Sequence, residues 1–439
     1  MHVLLDAFAR LPGAGWKRGR RLRDENAAAM TTSSWAKPNG DGARKRILSR
    51  PVRALAALGA VLLLAALPAT TRADDAVVEI PAVLPLSGQG SFAGKGVQQA
   101  LTLLQGIVNK QGGIKGRPLR FDYLDDQSNP AVSVQLTNQL IAQGVQLMLG
   151  PGVAASCKAT EPLLKTGPVQ YCQSPAVHPA KNSFLFSASL SSQDAVYAMV
   201  RFARERGWNR IGWITSTDAV GQDGDAALDT ALAFPENAAL RLVRRERFGP
   251  TDLSVTAQMS NIKAANPQVV FVWTAGLAFG TLLHGVAEGG MNLPYITSGG
   301  NMTFGQMRQY TNITPKELYF PGLGYITDTL SPGAVGVQQK LFRDALHAAG
   351  IVPDFQSALL WDPALIYVDA LRHLGPDAKA ADIRDYIENL HGFAGICGTY
   401  DFRGGNQRGL TADNVIVLRW DNGKGDWVTA GPARGKVSS

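Results

Sequence analysis

Two short apolar runs near the middle of the chain, at residues 145–149 and 169–172, constrain its fold more than any other feature. Each is too short for a helix and stops at a turn, the first in GPG and the second in SPA, as buried parallel strands do. Pro162 is tolerated only in the first turn of a helix, which predicts a helix over residues 160–165 between them. The sequence therefore predicts a strand–helix–strand unit whose strands end at one edge of a sheet.

The same alternation of strands and helices runs through the rest of the chain from residue 77. Strands that alternate with helical segments predict an α/β fold whose sheets are mostly parallel. A second run with its own strands and helices begins at about residue 210, and the linker that leads to this second part lies at about residues 187–192. Since 439 residues also exceed the usual size of a single core, we predict two lobes.

The basic residues are concentrated at the N-terminus. The formal net charge is +8, but residues 1–73 hold 13 basic and 4 acidic residues, which leaves 30 basic and 31 acidic residues in the rest of the chain. Because that remainder is nearly neutral, the charge gives no reason to expect nucleic acid as a partner.

The excess of basic residues near the N-terminus is part of a pattern that predicts a secretory signal peptide over residues 44–73. A cluster of Arg and Lys precedes an apolar run that falls short of the roughly 20 residues needed to span a bilayer, and TRA before residue 74 fits a cleavage site. We expect export to the periplasm with cleavage near Ala73; an uncleaved membrane anchor is the alternative. Residues 1–43 are long and mixed in charge, so we expect a poorly structured extension, with Met30 as an alternative start.

The three cysteines, Cys157, Cys172 and Cys397, cannot all pair with one another, and their spacing fits no zinc site. In the predicted unit Cys157 opens the helix and Cys172 ends the following strand, so the two could be neighbours at one sheet edge. An exported protein permits a disulfide between them; two buried thiols are the alternative. The acidic pair Asp125 and Asp126 follows a predicted strand, and we expect it to cap a helix rather than to hold a metal.

Several motifs, taken in order, carry a family resemblance. Beside the GPxxxxS and SPA segments stand AVLPLSGQGSFAGKG from Ala82, LDDQSNP from Leu124, TDAVGQDG from Thr217 and WDPALIYVDAL from Trp361. Over roughly residues 77–428 the chain resembles the branched-chain amino acid (Leu/Ile/Val-binding) type of periplasmic solute-binding protein, which serves ABC transporters that import solutes. The resemblance implies the type I periplasmic binding protein fold, with two Rossmann-like lobes and a three-stranded hinge.

The resemblance also implies how the chain is divided and what it binds. The chain would cross between the lobes three times, so that lobe one holds residues 74–190 and 326–394 and lobe two holds residues 191–325 and 395–439. Closure about the hinge would bury a small-molecule ligand, and the permease subunits of the importer would be the protein partners. We expect a monomer with no cofactor, no metal and no catalytic activity.

The implied ligand site lies at the carboxyl ends of the strands, where open α/β sheets bind ligands. Its implied residues include anion-binding positions beside helix starts, foremost Ser156, and aromatic side chains suited to an apolar ligand body. Trp273 and Trp361 could instead be core residues, and His178 a surface loop residue. The full set is Phe92, Ala154, Ala155, Ser156, Ala176, Val177, His178, Asp218, Val220, Trp273, Leu277, Phe279, Gly300, Asn301 and Trp361.

This chain departs from the family pattern at several of these positions. Amino-acid binders usually carry Ser, Thr and Tyr where this chain has Ala154, His178 and Val220, an aromatic residue at or beside Leu277, and an acidic residue near Gly300. That acidic residue holds the ligand's ammonium group, and an unpaired buried ammonium costs several kcal/mol. We therefore predict a ligand with a carboxylate or an amide and no α-ammonium group, although Asp218 could pair with an ammonium from another direction.

Other functions remain as alternatives. The ligand could be a branched-chain amino acid, and the protein could be a periplasmic sensor module rather than an importer component. A nucleotide-dependent enzyme is suggested by Gly88, Gly90 and Gly94 after a strand, but the third glycine is one place late and no acidic residue stands about 20 positions on. No G-x-S-x-G or H-E-x-x-H motif supports a hydrolase.

Overall fold

The computed structural model describes residues 77–188, 190–327 and 329–431 of the chain. The predicted N-terminal extension, the signal peptide and its cleavage near Ala73 lie outside the described residues. Within the described ranges, no helix is both long enough and apolar enough to cross a membrane.

The first part of the described chain forms a five-stranded parallel sheet. Its elements are β1 (Val78–Leu84), α1 (Ser91–Lys110), β2 (Leu119–Asp125), α2 (Pro130–Ala142), β3 (Leu147–Leu149), α3 (Ala154–Thr160), β4 (Val169–Cys172) and β5 (Leu185–Ser187). The strands lie in the order β2-β1-β3-β4-β5. β3 and β4 are buried along their whole length, as in parallel sheets that helices cover on both faces. The predicted strand–helix–strand unit is present as β3, α3 and β4.

The helix of this unit differs from the prediction. It covers Ala154–Thr160 instead of residues 160–165, and Pro162 lies in the 3₁₀ turn Glu161–Leu163 that follows. Proline has no N–H and its ring clashes with the carbonyl four residues earlier, so the α-helix ends before it. The small residues after the GPG turn therefore form the helix itself.

The chain continues through α4 (Ser192–Glu205), β6 (Arg210–Ser216), α5 (Ala219–Leu232), β7 (Arg241–Phe248), α6 (Thr256–Ala264), β8 (Val269–Trp273), α7 (Ala278–Gly289), β9 (Tyr295–Thr297), α8 (Phe304–Gln309) and β10 (Leu318–Gly322). Four helices and two hairpins follow: α9 (Gly333–Ala348), α10 (Phe355–Ala358), α11 (Trp361–Leu374), α12 (Ala380–Asn389), β11 (His391–Ala394), β12 (Thr399–Asp401), β13 (Ile416–Asp421) and β14 (Asp426–Gly431).

The second sheet has seven strands in the order β14-β13-β10-β9-β8-β6-β7. Neighbouring strands from β6 to β10 are parallel, β13 runs antiparallel to β10, and β14 runs antiparallel to β13. The last hairpin of the described chain thus extends an otherwise parallel sheet by two strands. Each sheet with its covering helices forms one lobe.

We call residues 77–188 and 333–408 lobe one, and residues 192–322 and 416–431 lobe two. The helices after β10 return to lobe one, where α10 and α11 pack against α1. The hydroxyl of Tyr367 in α11 is fully buried and lies 3.1 Å from the carbonyl oxygen of Met148 and 2.8 Å from that of Val169. This contact holds α11 against β3 and β4.

The chain returns to lobe two later than the sequence predicts. The predicted crossing is at residues 395–401, but Gln407 Nε2 donates to the carbonyl oxygens of Ser183 and Leu185 beside β5. Arg408 also donates to Ser187 Oγ at the end of β5. Because these hydrogen bonds hold the segment after β12 on the edge of the first sheet, the return falls between Arg408 and β13.

Cys157 in α3 and Cys172 at the end of β4 are joined by a disulfide, with their Cα atoms 6.0 Å apart. The two residues meet because the helix start and the strand end lie at the same edge of the sheet. Cys397 is a buried free thiol between β11 and β12.

Asp362 in α11 fixes the short β11–β12 hairpin to its helix. Its fully buried carboxylate accepts hydrogen bonds from the backbone N–H groups of Ile396 and Cys397, at 2.8 and 2.9 Å, and from the hydroxyl of Tyr400, at 3.0 Å. Burial raises the pKa of this carboxyl, and the hydrogen bonds from the three donors oppose the rise. The position of the hairpin therefore depends on one side chain of a helix that is distant in sequence.

Replacing Asp362 by alanine leaves three buried donors without their acceptor, at about 1–3 kcal/mol each. We expect Asp362→Ala to lower the free energy of unfolding, measured by urea denaturation, by about 3–5 kcal/mol. The control is Asp344→Ala on α9, which removes an exposed ion pair with Lys340 and should cost about 0.5 kcal/mol or less. Equal losses in the two variants would contradict this account of the hairpin.

Candidate functional site

A cavity of about 1210 Å³, measured out to its opening, lies between the two lobes. The cavity sits at the carboxyl ends of the parallel strands of both sheets. There the turns of one lobe face the turns of the other lobe across the gap. Lobe one contributes residues after β1, β3 and β4, and lobe two contributes residues after β6, β8 and β9. These residues are Pro85, Gly152, Gln173, Ser174, Asp218, Ala275 and Ser298.

The start of α1 opens into the cavity from lobe one. Gly90, Phe92 and Ala93 line the cavity, and no side chain caps the N-terminus of this helix. The N–H of Ser91 donates to the carbonyl oxygen of Gly88, but those of Phe92 and Ala93 have no partner within the helix, so they are available to an acceptor. Phe92 packs towards lobe two, since a Cβ atom placed at Gly305 would lie 3.6 Å from its ring.

Gln173 forms a buried polar part of the wall directly after β4. Its side chain is 2 % exposed, and among the described residues neither its Nε2 nor its Oε1 has a hydrogen-bond partner. Its backbone N–H donates to the carbonyl oxygen of Pro151, 3.1 Å away, which fixes the residue against the turn after β3. The side chain of Ser174 is also buried, and its Oγ accepts a hydrogen bond from the N–H of Ala176.

Asp218 is the one ionisable side chain among the described residues that line the cavity. Its Oδ1 accepts hydrogen bonds from Gly221 N at 3.0 Å and from Ser216 Oγ at 2.8 Å, so it caps the N-terminus of α5. One of the two oxygens of this carboxylate is thus hydrogen-bonded within the protein. Among the described residues, no Lys, Arg or His side chain lines the cavity.

An aromatic wall covers the lobe-two side of the cavity. Trp273 at the end of β8 is 1 % exposed, and its Nε1 donates to the carbonyl oxygen of Val220 at 3.1 Å. Its ring stacks on Trp213 with centroids 6.1 Å apart. Gly224 in α5 makes room for this indole, because a Cβ atom there would overlap the ring. The wall is therefore held by packing and by a hydrogen bond behind it.

The short helix α10 joins the two lobes beside the cavity. Gln356 Nε2 donates to the carbonyl oxygen of Gly300 in lobe two, at 2.8 Å, and the N–H of Phe355 donates to that of Met302, at 3.1 Å. The remaining polar atom, Gln356 Oε1, is buried without a partner among the described residues. Phe355 and Leu359 add apolar surface to the lining.

A second contact between the lobes lies outside the cavity. His178 Nε2 in the turn after β4 donates to Asp223 Oδ1 in α5, at 2.6 Å. Burial by itself would raise the pKa of the Asp223 carboxyl, but the hydrogen bond from His178 and the charges of His178 and Lys158 lower it overall. Asp223 is mostly buried and His178 is half exposed, so this pair connects the lobes at the rim of their interface.

Six of the fifteen residues implied by the sequence line the cavity: Phe92, Ala154, Asp218, Val220, Trp273 and Gly300. Their contact with a ligand stays a prediction. The other nine lie elsewhere.

The nine residues outside the lining have other surroundings. Ser156 is fully buried and its Oγ bonds to Ser133 of α2, and Asn301 donates to the carbonyl oxygen of Thr274. Trp361 packs edge-on against Phe342, 4.9 Å away, in the core of lobe one. Ala155 is half-buried, Ala176, Val177 and Phe279 are buried, His178 pairs with Asp223, and Leu277 is exposed.

Sequence reasoning missed the two glutamines, Gln173 and Gln356. Gln173 directly precedes the SPA turn that the sequence singles out, so its position next to a strand end was the available signal. Gln356 comes from a segment with no comparable signal. No group of three or more His, Cys, Asp or Glu side chains in the described parts of the chain could hold a metal ion.

Comparisons with known proteins agree with this architecture. A family model described as periplasmic binding protein matches residues 77–425. A Leu/Ile/Val-binding protein homolog from Brucella melitensis is 29 % identical over 73 residues, an alignment that spans 17 % of this chain and 20 % of that relative.

Two solved structures show the same fold. A periplasmic binding protein type 1 from Bordetella pertussis superposes with a TM-score of 0.70 at 19 % identity, over 81 % of this chain and all of the other. An ABC transporter solute-binding protein from Rhodopseudomonas palustris in complex with benzoate gives a TM-score of 0.66 at 18 % identity, over 83 % and 98 % of the two chains. At these identities the likeness establishes the type I fold.

The contact between His178 and Asp223 should stabilise the arrangement in which the lobes touch. Because His178 is half exposed, we expect Asp223→Asn to lower the free energy of unfolding by about 1 kcal/mol and to raise the radius of gyration in small-angle X-ray scattering. Asp229→Asn on the same helix breaks an exposed ion pair with Arg245 within lobe two and serves as the control. If the control changed the radius of gyration as much, the contact would not hold the lobes together.

The same pair gives an expected pH dependence. A carboxyl whose pKa is lower in the folded than in the unfolded protein stabilises the folded form above its unfolded pKa of about 3.9 and loses that effect as the pH falls through the folded pKa. Since the pKa of Asp223 is lowered, the difference in unfolding free energy between the native protein and Asp223→Asn should shrink as the pH falls from 5 to 3. Urea titrations at several pH values measure it, and a difference that grew on acidification would contradict the assignment.

Proposed function

Since the chain belongs to the periplasmic binding protein family, we propose that it is the periplasmic substrate-binding component of an ABC importer. Its ligand is a small molecule that carries a carboxylate or an amide and no α-ammonium group, bound in the cavity between the lobes. The permease subunits of the importer are its protein partners, it acts as a monomer, and it needs neither catalysis nor a cofactor.

The make-up of the cavity is the observation that carries this proposal. Phe92, Trp273 and Phe355 offer apolar surface, and burial of a ligand's apolar body contributes roughly 25 cal/mol per Å². The start of α1 and the side chains of Gln173 and Ser174 offer polar groups to one end of such a ligand. A benzoate-bound structure with the same fold is consistent with a ligand that lacks an ammonium group.

The contacts between the lobes support capture by closure. Periplasmic binding proteins close about a hinge around their ligands. In this chain Gln356 and Phe355 bond across to lobe two beside the cavity, and His178 bonds to Asp223 at its rim. A ligand that bridges the two walls would add to these contacts and so favour the closed form.

Binding of a branched-chain amino acid is the second candidate, and Asp218 is the observation that favours it. This carboxylate faces the cavity, and its second oxygen could accept from an ammonium group. A relative is named for Leu, Ile and Val binding. The glycines that suggest a nucleotide site have a structural explanation, because a Cβ atom at Gly88 or Gly94 would overlap neighbouring backbone.

A thermal-shift screen of the purified protein tests the proposal. The compounds are amino acids, aromatic and aliphatic acids, dicarboxylates, amides and nicotinamide nucleotides. A ligand at 100 times its Kd stabilises the native state by about 2.7 kcal/mol, which raises the melting temperature measurably. Shifts with acids or amides and none with leucine or valine are expected.

Two other results would overturn the proposal in different ways. Shifts confined to branched-chain amino acids would assign Asp218 to an ammonium group and remove the proposed ligand class. Shifts confined to nucleotides would remove the solute-importer role as well.

A further inference from the structure

The buried polar atoms of the cavity narrow the ligand class, given that the cavity binds a ligand as proposed above. We propose that the ligand carries a neutral amide, in which an N–H₂ donor stands beside a C=O acceptor, on an apolar body. Gln173 recognises this amide by pairing with both of its groups.

Gln173 lines the cavity and carries a buried side-chain amide whose polar atoms are unpaired. It is 2 % exposed, and among the described residues no partner lies within hydrogen-bond distance of either of its side-chain polar atoms. Whichever way this amide is turned, it offers N–H donors on one side and an acceptor on the other. Almost all buried polar groups in proteins have a partner, so a ligand that meets both groups explains the position of this side chain.

Gln356 and Asp218 add acceptors to the same cavity. The Nε2 of Gln356 donates to the carbonyl oxygen of Gly300, which turns its Oε1 away from that bond; this oxygen is buried and has no donor in the described chain. Asp218 uses one carboxylate oxygen to cap α5. Two buried side-chain acceptors, Gln173 Oε1 and Gln356 Oε1, thus have no donor among the described residues, and a matching ligand must donate hydrogen bonds.

An ionised carboxylate does not fit this arrangement. It can only accept hydrogen bonds, so it would pair with Gln173 Nε2 and the Ser174 hydroxyl and leave Gln173 Oε1 and Gln356 Oε1 without a donor. Its charge would also face Asp218, with no cationic side chain among the described lining residues. A bare ammonium group fails in the opposite sense, because it cannot accept from Gln173 Nε2.

A neutral amide meets both requirements. Its carbonyl oxygen can accept from Gln173 Nε2 while its N–H₂ group donates to Gln173 Oε1, in a planar pair of two hydrogen bonds. The second N–H remains free to donate to another acceptor of the cavity. The apolar body then lies against Phe92, Trp273 and Phe355.

Calorimetry on the purified full chain with matched pairs of compounds tests the inference. Benzamide is compared with benzoate, and 3-methylbutanamide with 3-methylbutanoate, because each pair differs only in the head group. We expect the amide to bind at least tenfold more tightly in one pair or both. This comparison uses the native protein, so it does not depend on the folding of any variant.

Variants of glutamine assign the role to Gln173. Gln173→Met keeps the length of the side chain and removes both polar atoms, so it should weaken amide binding at least tenfold. It should leave the melting temperature of the ligand-free protein unchanged or raise it, because no hydrogen bond within the described chain is lost. Gln99→Met makes the same change at an exposed position of α1 and should alter neither quantity.

The outcomes separate this inference from the proposed function. If the carboxylates bind as tightly as the amides or more tightly, the amide class is wrong and the proposed function stands. If Gln173→Met binds amides as well as the native protein does, the role of Gln173 is wrong. If none of the four compounds binds, both the amide class and the carboxylate-or-amide ligand of the proposed function are overturned.

Discussion

Parallel strands leave their polar ends at one edge of a sheet, and in this molecule two such edges face each other. The turns after β1, β3 and β4 in lobe one stand opposite those after β6, β8 and β9 in lobe two. A polar group that is buried between them must find a partner or remain unpaired at a cost. The chemistry of the cavity follows from this constraint more than from any single residue.

Much of the fold could be predicted because parallel sheets leave a strong signal in sequence. Continuous apolar runs stopped by GPG and SPA identify β3 and β4, and the alternation that continues beyond them identifies two lobes. The errors fell where local and long-range effects compete. α3 occupies small residues before Pro162, and the return to lobe two is delayed by hydrogen bonds from Gln407 and Arg408 that no local pattern encodes.

The site was harder to predict than the fold because side-chain direction decides it. Ala154 and Ser156 are two residues apart on α3, a rotation of about 200° around the helix axis, so one faces the cavity and the other faces α2. Asn301 turns inward to Thr274 although its neighbour Gly300 lines the cavity. Gln356 depends on the path of the chain back to lobe one, which sequence alone indicates only coarsely.

The unpaired amide of Gln173 is best understood as part of the energetics of binding. A buried polar group without a partner costs about 1–3 kcal/mol relative to a paired one, and selection for stability alone favours an apolar residue at such a position. A ligand that supplies the missing hydrogen bonds recovers this free energy only when the lobes enclose it. The cost of the unpaired amide therefore disfavours closure of the lobes without a ligand. The recovered hydrogen bonds favour closure around a ligand with the matching head group. A ligand with an equally apolar body but a head group that cannot pair with Gln173 would leave the amide unpaired and would not recover this free energy. A cavity lined mostly by apolar residues can therefore still discriminate between head groups.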